Sequence, residues 1–550
     1  MSLFYILFIY RYIYIYMSKI YHTNSDIKWD EKTDFIVVGL GAAGAVVTRM
    51  LANKNFNVIG IEAGENYDNN PLILDSTVAP DMEGSYTWKF LYNQETAPNP
   101  DMNGRTLNYT TGRLLGGGSS INGLQYVRSS NNIWQEWGNI NGCNWDPISA
   151  LSGYKHLEQF IGVPSNFNPI YHGTNGLMKI RQAPIVESSM ATKFANALSA
   201  ATTYPIISDY NDPTTPIGVF TRWSLFEQSN GDRASSSTDF LTPLINKHHK
   251  HCKIITNTTI SKVIICKCGQ TLGVEAIRNG KCINIKACKE VILSSGIHSN
   301  EILQRSGIGP ESLLNSLNIP IVFKNDAVGS NSRNHLISVA VFSANPADFP
   351  GTGSNDLNAL YTGGAFLPDP TIGSDITKRG FQWIGINPAP NIFVVAFYKL
   401  NPQSTGTDRI QNADPLRVSE VNENLLSDPL DLDAIVNVYQ QQITALNTQL
   451  GLIDPAYQLL SPSLSLIADT DGLKNYIKES LEHAHHWTGT CKMAPLSQNG
   501  VVNKKGEVYG VKKLRIADIS VAPIQPDGNT AGPAFFVGYN IAKMIIKKYC

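Results

Sequence analysis

The stretch that most restricts the fold is "DFIVVGLGAAGAVVTRMLANKNFNVIGIEAG", residues 34 to 64. Phe35 to Val38 form an apolar run of strand length. Gly39, Gly41 and Gly44 then give G-x-G-x-x-G, followed by the helix-compatible "AVVTRMLANK" and a second strand, "NVIGIEAG". This order is a βαβ unit, and each glycine has its own task. Gly39 allows a tight turn, Gly41 lets the backbone approach a pyrophosphate, and Gly44 lets helix and strand pack closely, with the helix N-terminus facing the anion. Glu62 ends the second strand about 20 residues beyond the glycines, where a carboxylate accepts a ribose hydroxyl and repels a 2'-phosphate. The expected ligand is an adenine dinucleotide, NAD or FAD.

The chain has 550 residues, more than one ordinary core, so two domains or one domain with large insertions are expected. A formal net charge of -1 with 16% charged residues provides no global attraction to nucleic acid or to an acidic membrane surface. The eight cysteines lack the paired CxxC spacing of zinc sites and the density of a disulfide framework. "CKC" at 266 to 268 lies in an alternating apolar run and reads as a strand face rather than a ligand pair. The N-terminal "MSLFYILFIYRYIYIYM" is apolar but split by Arg11, with no basic region before it and no small-residue cleavage site after it. At 17 residues it is short for a membrane span, which needs about 20. Residues 1–32 are read as an extension, no stable span is expected, and a soluble protein, cytoplasmic or secreted, follows according to whether residues 1–16 act as a signal.

Residues 112 to 126, "GRLLGGGSSINGLQY", form a second glycine run. Gly116 to Gly118 with Ser119, Ser120 and Asn122 make a loop rich in backbone donors, able to wrap another part of an extended cofactor or to serve as a flexible linker. With this block the chain resembles the glucose-methanol-choline (GMC) family of FAD-dependent oxidoreductases, from residue 34 to the C-terminus. Four further blocks stand in family order: "SGIHSNEILQRSGIGP" at 295 to 310, "VGSNSRNH" at 328 to 335, "HWTGTCKM" at 486 to 493 and "KKLRIADISVAP" at 512 to 523. The chain departs from the family pattern at Asn300 (usually proline), Asn334 (usually aspartate), Asn503 (usually aspartate) and Ser129 (usually glycine, alanine or proline).

The resemblance places the catalytic histidine on His486 and its partner on Asn529, in "PDGNTAGP". Oxidising an alcohol removes a hydroxyl proton and a carbon-bound hydride. The hydride goes to the flavin, and the proton needs a base with a pKa near neutrality, which histidine supplies. An asparagine NH2 then stabilises the incipient alkoxide. His485 is a competing base, whereas a metal held by His483, His486 and Cys491, or a Cys491 nucleophile, is disfavoured. His483 and His486, three apart, are read as sharing a helix face. Cofactor contacts are expected from Gly39, Gly41, Gly44, Glu62, Gly117, Ser119, Asn122 and Asp518. Some relatives attach FAD through a histidine preceding the asparagine of the first block; Ile121 stands there, so non-covalent FAD is expected.

The fold class implied is α/β. A discontinuous Rossmann-like FAD-binding domain, 33–150, 231–335 and 475–550, would carry an α+β substrate domain with an antiparallel sheet, 151–230 and 336–474. Residues 428 to 452 have helical spacing at Ile435, Val438, Tyr439 and Ile443 and read as a packed helix. The expected reaction partners are a small-molecule alcohol and oxygen or a quinone as electron acceptor, with no nucleic acid. The competing functions on this scaffold are a cyanohydrin-cleaving (hydroxynitrile) lyase and a structural flavoprotein.

Overall fold

The computed structural model describes residues 27–75, 89–162, 166–182, 189–349, 361–371 and 377–550. Most of the expected N-terminal extension lies outside them. The strand Glu31–Val38, the helix Ala42–Asn53 and the strand Val58–Ile61 form the βαβ unit read from the glycines, with the two strands parallel. Val58–Ile61 pairs on its other edge with Cys252–Ile255, also in parallel.

On the opposite side of Glu31–Val38 runs the longest strand of this sheet, Lys281–Leu293. Its first half closes an antiparallel meander with Thr271–Arg278 and Thr258–Ile265. Its second half, ending in the fully buried Val291, Ile292 and Leu293, is parallel to both Glu31–Val38 and Leu514–Ile516. The meander and the return to the parallel sheet are therefore one continuous strand. The change from half-exposed "KCINIK" to uninterrupted "EVIL" marks where helices begin to cover both faces.

The second large sheet is antiparallel, in the order Leu459–Ser461, Leu336–Ser343, Ile392–Lys399, Phe381–Ala389, Tyr361–Leu367 and Gly218–Phe220. A core containing Phe342, Trp383, Phe393 and Phe397 packs it against helices, among them the run Pro429–Asn437, Val438–Ile443 and Thr444–Ile453. That run is the helix read from periodicity, with Ile435, Val438, Tyr439 and Ile443 all buried and a widened π-type turn at its middle.

Two sequence readings are corrected. "CKC" does not continue a strand: the strand ends at Ile265, and Cys266 and Cys268 form a disulfide in the turn leading to Thr271–Arg278. Nor do His483 and His486 share a helix. Glu482–His483 is a short strand antiparallel to Leu336–Ile337, and His485 then takes a left-handed φ of 56°, turning the chain so that His486 leaves the strand line. Among the described residues no helix is long and apolar enough to cross a membrane.

The C-terminal helix Ala531–Tyr549 lies across the helix Ala42–Asn53 at Gly538, where an added Cβ would sit 2.6 Å from the Ala43 carbonyl oxygen. A helix crossing this close forces rigid backbone to move if a methyl group is inserted. Gly538→Ala is expected to destabilise the protein by about 1–3 kcal/mol, read as a lower thermal denaturation midpoint.

Candidate active site

Two glycines of the first run, Gly39 and Gly44, leave no room for side chains. Gly39 has φ 84°, and a Cβ there would lie 2.7 Å from the Ser294 carbonyl oxygen; a Cβ on Gly44 would lie 2.0 Å from the Gly39 oxygen. Gly41 is different, because its missing Cβ faces the second glycine run, 3.8 Å from the Gly117 Cα. The two runs thus meet as bare backbone. The helix that starts at Ala42 has no side-chain cap and no acid in its first turn, so its leading N–H groups remain available to an anion.

Glu62 is buried beside this cradle. Its carboxylate accepts the Leu40 N–H at 3.0 Å and the Gly64 N–H at 3.0 Å, while burial raises its pKa against those bonds. The other expected contacts also have structural partners. Ser119 Oγ donates to the Gly116 carbonyl at 2.7 Å and accepts from the Ser236 N–H at 3.0 Å. Asn122 Oδ1 accepts from the Leu124 N–H at 3.1 Å and from Arg233 at 3.0 Å. Asp518 joins two loops: one oxygen accepts from the Gly296 N–H and Ser299 Oγ, the other from Ser520, and burial pushes its carboxyl up to about 6. Gly39, Gly41, Glu62, Gly117, Ser119, Asn122 and Asp518 nevertheless all line one cavity of about 680 Å³, within the range of ligand sites; Gly44 lies behind it.

At the other end of the same cavity stand His486 and Asn529. Three segments converge there. The Arg333 and Thr488 backbones exchange two hydrogen bonds, and the Ala484 N–H donates to the His335 carbonyl, which hooks 484–488 onto the start of the strand Leu336–Ser343. The loop 525–530 arrives from the C-terminal helix. The His486 N–H donates to Asn334 Oδ1 at 2.8 Å, and its carbonyl accepts from Gln525 Nε2 at 2.9 Å, so its backbone is held from both sides. Its ring contacts Asn529 through Nε2···Nδ2 at 3.3 Å and His335 through Nδ1···Nδ1 at 2.9 Å. Gln382 Nε2 donates to Asn529 Oδ1 at 2.8 Å, which turns the Asn529 NH2 toward His486.

Burial, then the neighbouring His335 and His485, hold His486 well below the usual histidine range, so it is neutral. His485 also lines the cavity, but its Nδ1 is buried without a hydrogen-bond partner and its ring packs against His483 and Trp487. His483 is enclosed: Nδ1 meets Glu423 and Nε2 meets the Asn108 carbonyl. Cys491 is buried with its thiol pushed far up, which removes the thiolate a nucleophile requires. Among the described residues no group of His, Cys, Asp and Glu is arranged to hold a metal ion.

Sequence reasoning missed His335 and Gln382. His335 ends the block "VGSNSRNH", directly before the alternating "LISVAVFS", so a histidine closing a matched block was available as a signal. Gln382 lies inside a strand and had none.

Family models described as GMC oxidoreductase match residues 33–337 and 402–538. The chain belongs to the GMC oxidoreductases. It is 28% identical to a GMC oxidoreductase family protein, Mala s 12, of Malassezia sympodialis, over 91% of each chain. It is 28% identical to the 5-(hydroxymethyl)furfural oxidase of a Methylovorus species, over 93% of this chain and 98% of that one. In structure it resembles pyridoxine 4-oxidase from Mesorbium loti, with a TM-score of 0.82, 20% identity, and coverage of 94% of this chain and 99% of the other. This GMC oxidoreductase is a flavin-dependent enzyme whose cofactor is FAD. The residues fit that cofactor, because the cavity joins a bare-backbone cradle for a pyrophosphate to the His486 and Asn529 end without a break.

The asparagine departures of this GMC oxidoreductase have a common physical reason. Asn334 Nδ2 donates to Glu423 at 2.9 Å, Asn503 Nδ2 to Glu507 at 3.0 Å, and Asn300 Nδ2 to Asp408 at 2.9 Å. Each stands against a carboxylate, where an aspartate would repel and a proline would supply no donor. Asn334→Asp is expected to cost about 1–3 kcal/mol, with part of the loss recovered when Glu423→Gln is added, both read by thermal denaturation. Glu62→Ala, which frees the Leu40 and Gly64 N–H groups, is expected to lower the fraction of FAD retained through gel filtration, measured by flavin absorbance.

Proposed function

We propose that this protein oxidises an alcohol to an aldehyde or ketone, with His486 taking the hydroxyl proton on Nε2 and Asn529 donating its Nδ2–H to the alcohol oxygen. The observation that carries this reading is the 3.3 Å pair of His486 Nε2 and Asn529 Nδ2, at the end of a cavity that begins at the glycine cradle. Bound FAD supplies the acceptor for the hydride. The protein's own residues do the rest. Gly39, Gly41, Gly117 and Glu62 would hold the adenine dinucleotide without a covalent bond, with Ser119, Asn122 and Asp518 keeping the surrounding loops in place. His486, neutral because it is buried, is ready as a base without first losing a proton. Asn529, oriented by Gln382, stabilises negative charge on the oxygen as the proton leaves.

The antiparallel sheet supplies the substrate wall beside the base. Ile337 and Tyr398 face each other across one strand pair and Tyr361 and Ile386 across another, and all four line the cavity. An apolar and aromatic wall suits an alcohol with an apolar or aromatic body. Relatives named for oxidation of 5-(hydroxymethyl)furfural and pyranose, and for choline dehydrogenation, support the reaction class.

Mixing the FAD-loaded protein anaerobically with a panel of primary alcohols and following flavin absorbance tests the reading. Bleaching by at least one alcohol is expected, slowed about 10²- to 10⁴-fold in His486→Ala and about 10²-fold in Asn529→Ala. Bleaching by no alcohol, with FAD bound, would sink it. Since burial lowers the pKa of His486, its base form persists as pH falls through the ordinary histidine value. The bleaching rate should therefore stay flat as pH falls from about 8 to about 5, instead of dropping through the reference value near 6.5.

A further inference from the structure

We propose that His335 is a positioning residue that sets the tautomer of His486, keeping that ring's single proton on Nδ1 so that Nε2 presents a lone pair to the cavity. The assignment rests on reading His486 as the base, and it follows from hydrogen-bond arithmetic. His335 Nε2 lies 2.9 Å from the Pro526 carbonyl oxygen. A carbonyl only accepts, so Nε2 carries hydrogen. His335 is fully buried, and burial pushes it down to about 4 against hydrogen bonds to the Pro526 and Leu400 backbones, so at neutral pH it holds one proton; with that proton on Nε2, its Nδ1 is a bare lone pair. That lone pair lies 2.9 Å from His486 Nδ1, with the two rings nearly perpendicular at 85°. Two lone pairs do not meet at such a distance, so His486 Nδ1 is the donor.

The far side of the ring gives the same answer independently. Gln382 donates to Asn529 Oδ1, which leaves the Asn529 NH2 toward His486 Nε2; an NH2 only donates, so Nε2 accepts. The chain of donors therefore runs inward from both ends and leaves one basic nitrogen on the cavity. Without the His335 acceptor a buried Nδ1–H would lose its partner, and only the Asn529 NH2 would then oppose the imidazole's intrinsic preference for a proton on Nε2, which puts the wrong nitrogen toward the alcohol.

His335→Leu removes the acceptor, whereas His335→Gln offers an amide oxygen to His486 and an NH2 to Pro526. In the FAD-loaded Leu variant the anaerobic bleaching rate constant is expected to fall roughly 10- to 100-fold with substrate binding unchanged, and the Gln variant should recover most of it. Equal rates in the Leu and Gln variants, alongside a slow His486→Ala, would overturn the assignment. A His486→Ala variant as fast as the parent would instead overturn the reading of His486 as base. Nitrogen NMR of the ¹⁵N-histidine-labelled holoenzyme, with the His486 signals identified by their loss in His486→Ala, decides the tautomer without turnover and without the Leu variant. An unprotonated Nε2 supports the assignment, and a proton on Nε2 refutes it.

Discussion

The close approach of bare backbone at Gly41 and Gly117 is the constraint from which the rest follows. Gly117 tolerates little: a Cβ there would stand 3.0 Å from the Gly41 Cα, in a residue already at φ 50°. Because these two loops touch, the helix Ala42–Asn53 starts at the wall of the cavity and its free N–H groups open into it. The C-terminal helix then packs on that helix through Gly538, and the loop before it carries Asn529 and Pro526 to the far end. The anion cradle and Asn529 are thus fixed by one series of backbone contacts.

What could be read from the sequence was what local backbone chemistry dictates. The positions of Gly39, Gly41, Gly44 and Glu62 are requirements of a single turn and one strand end, so thirty residues suffice to see them. The buried stripe Ile435, Val438, Tyr439, Ile443 was visible for the same reason, since a helix face repeats within a few residues. His486 and Asn529 came through family resemblance, and their contact is present in the structure.

What could not be read depends on partners far along the chain. His335 and Gln382 acquire meaning only when the strand Leu336–Ser343 and the strand Phe381–Ala389 bring them to His486 and Asn529. With their carboxylate partners in view, the asparagine departures are compensations. Asn334 could not be understood without Glu423, or Asn300 without Asp408; Asn503 and Glu507, four residues apart, were legible in principle. Asn334 and Asn300 satisfy buried acids, and Asn503 satisfies a partly exposed one. The helical reading of His483 and His486 failed because spacing alone does not reveal that a single residue, His485, reverses the sign of φ.

The hook between Arg333 and Thr488 has a mechanical meaning. The proposed base, His486, is carried by a segment stitched to the antiparallel sheet, and Asn529 by a loop belonging to the helix that covers the parallel sheet. Their 3.3 Å separation therefore measures how the two layers are seated on each other. A substitution in the substrate wall that tilts the antiparallel sheet slightly would reach the chemistry as a lengthened bond, without altering any residue that touches the proton. Diversification of that wall is then limited by alignment as much as by the shape of the substrate.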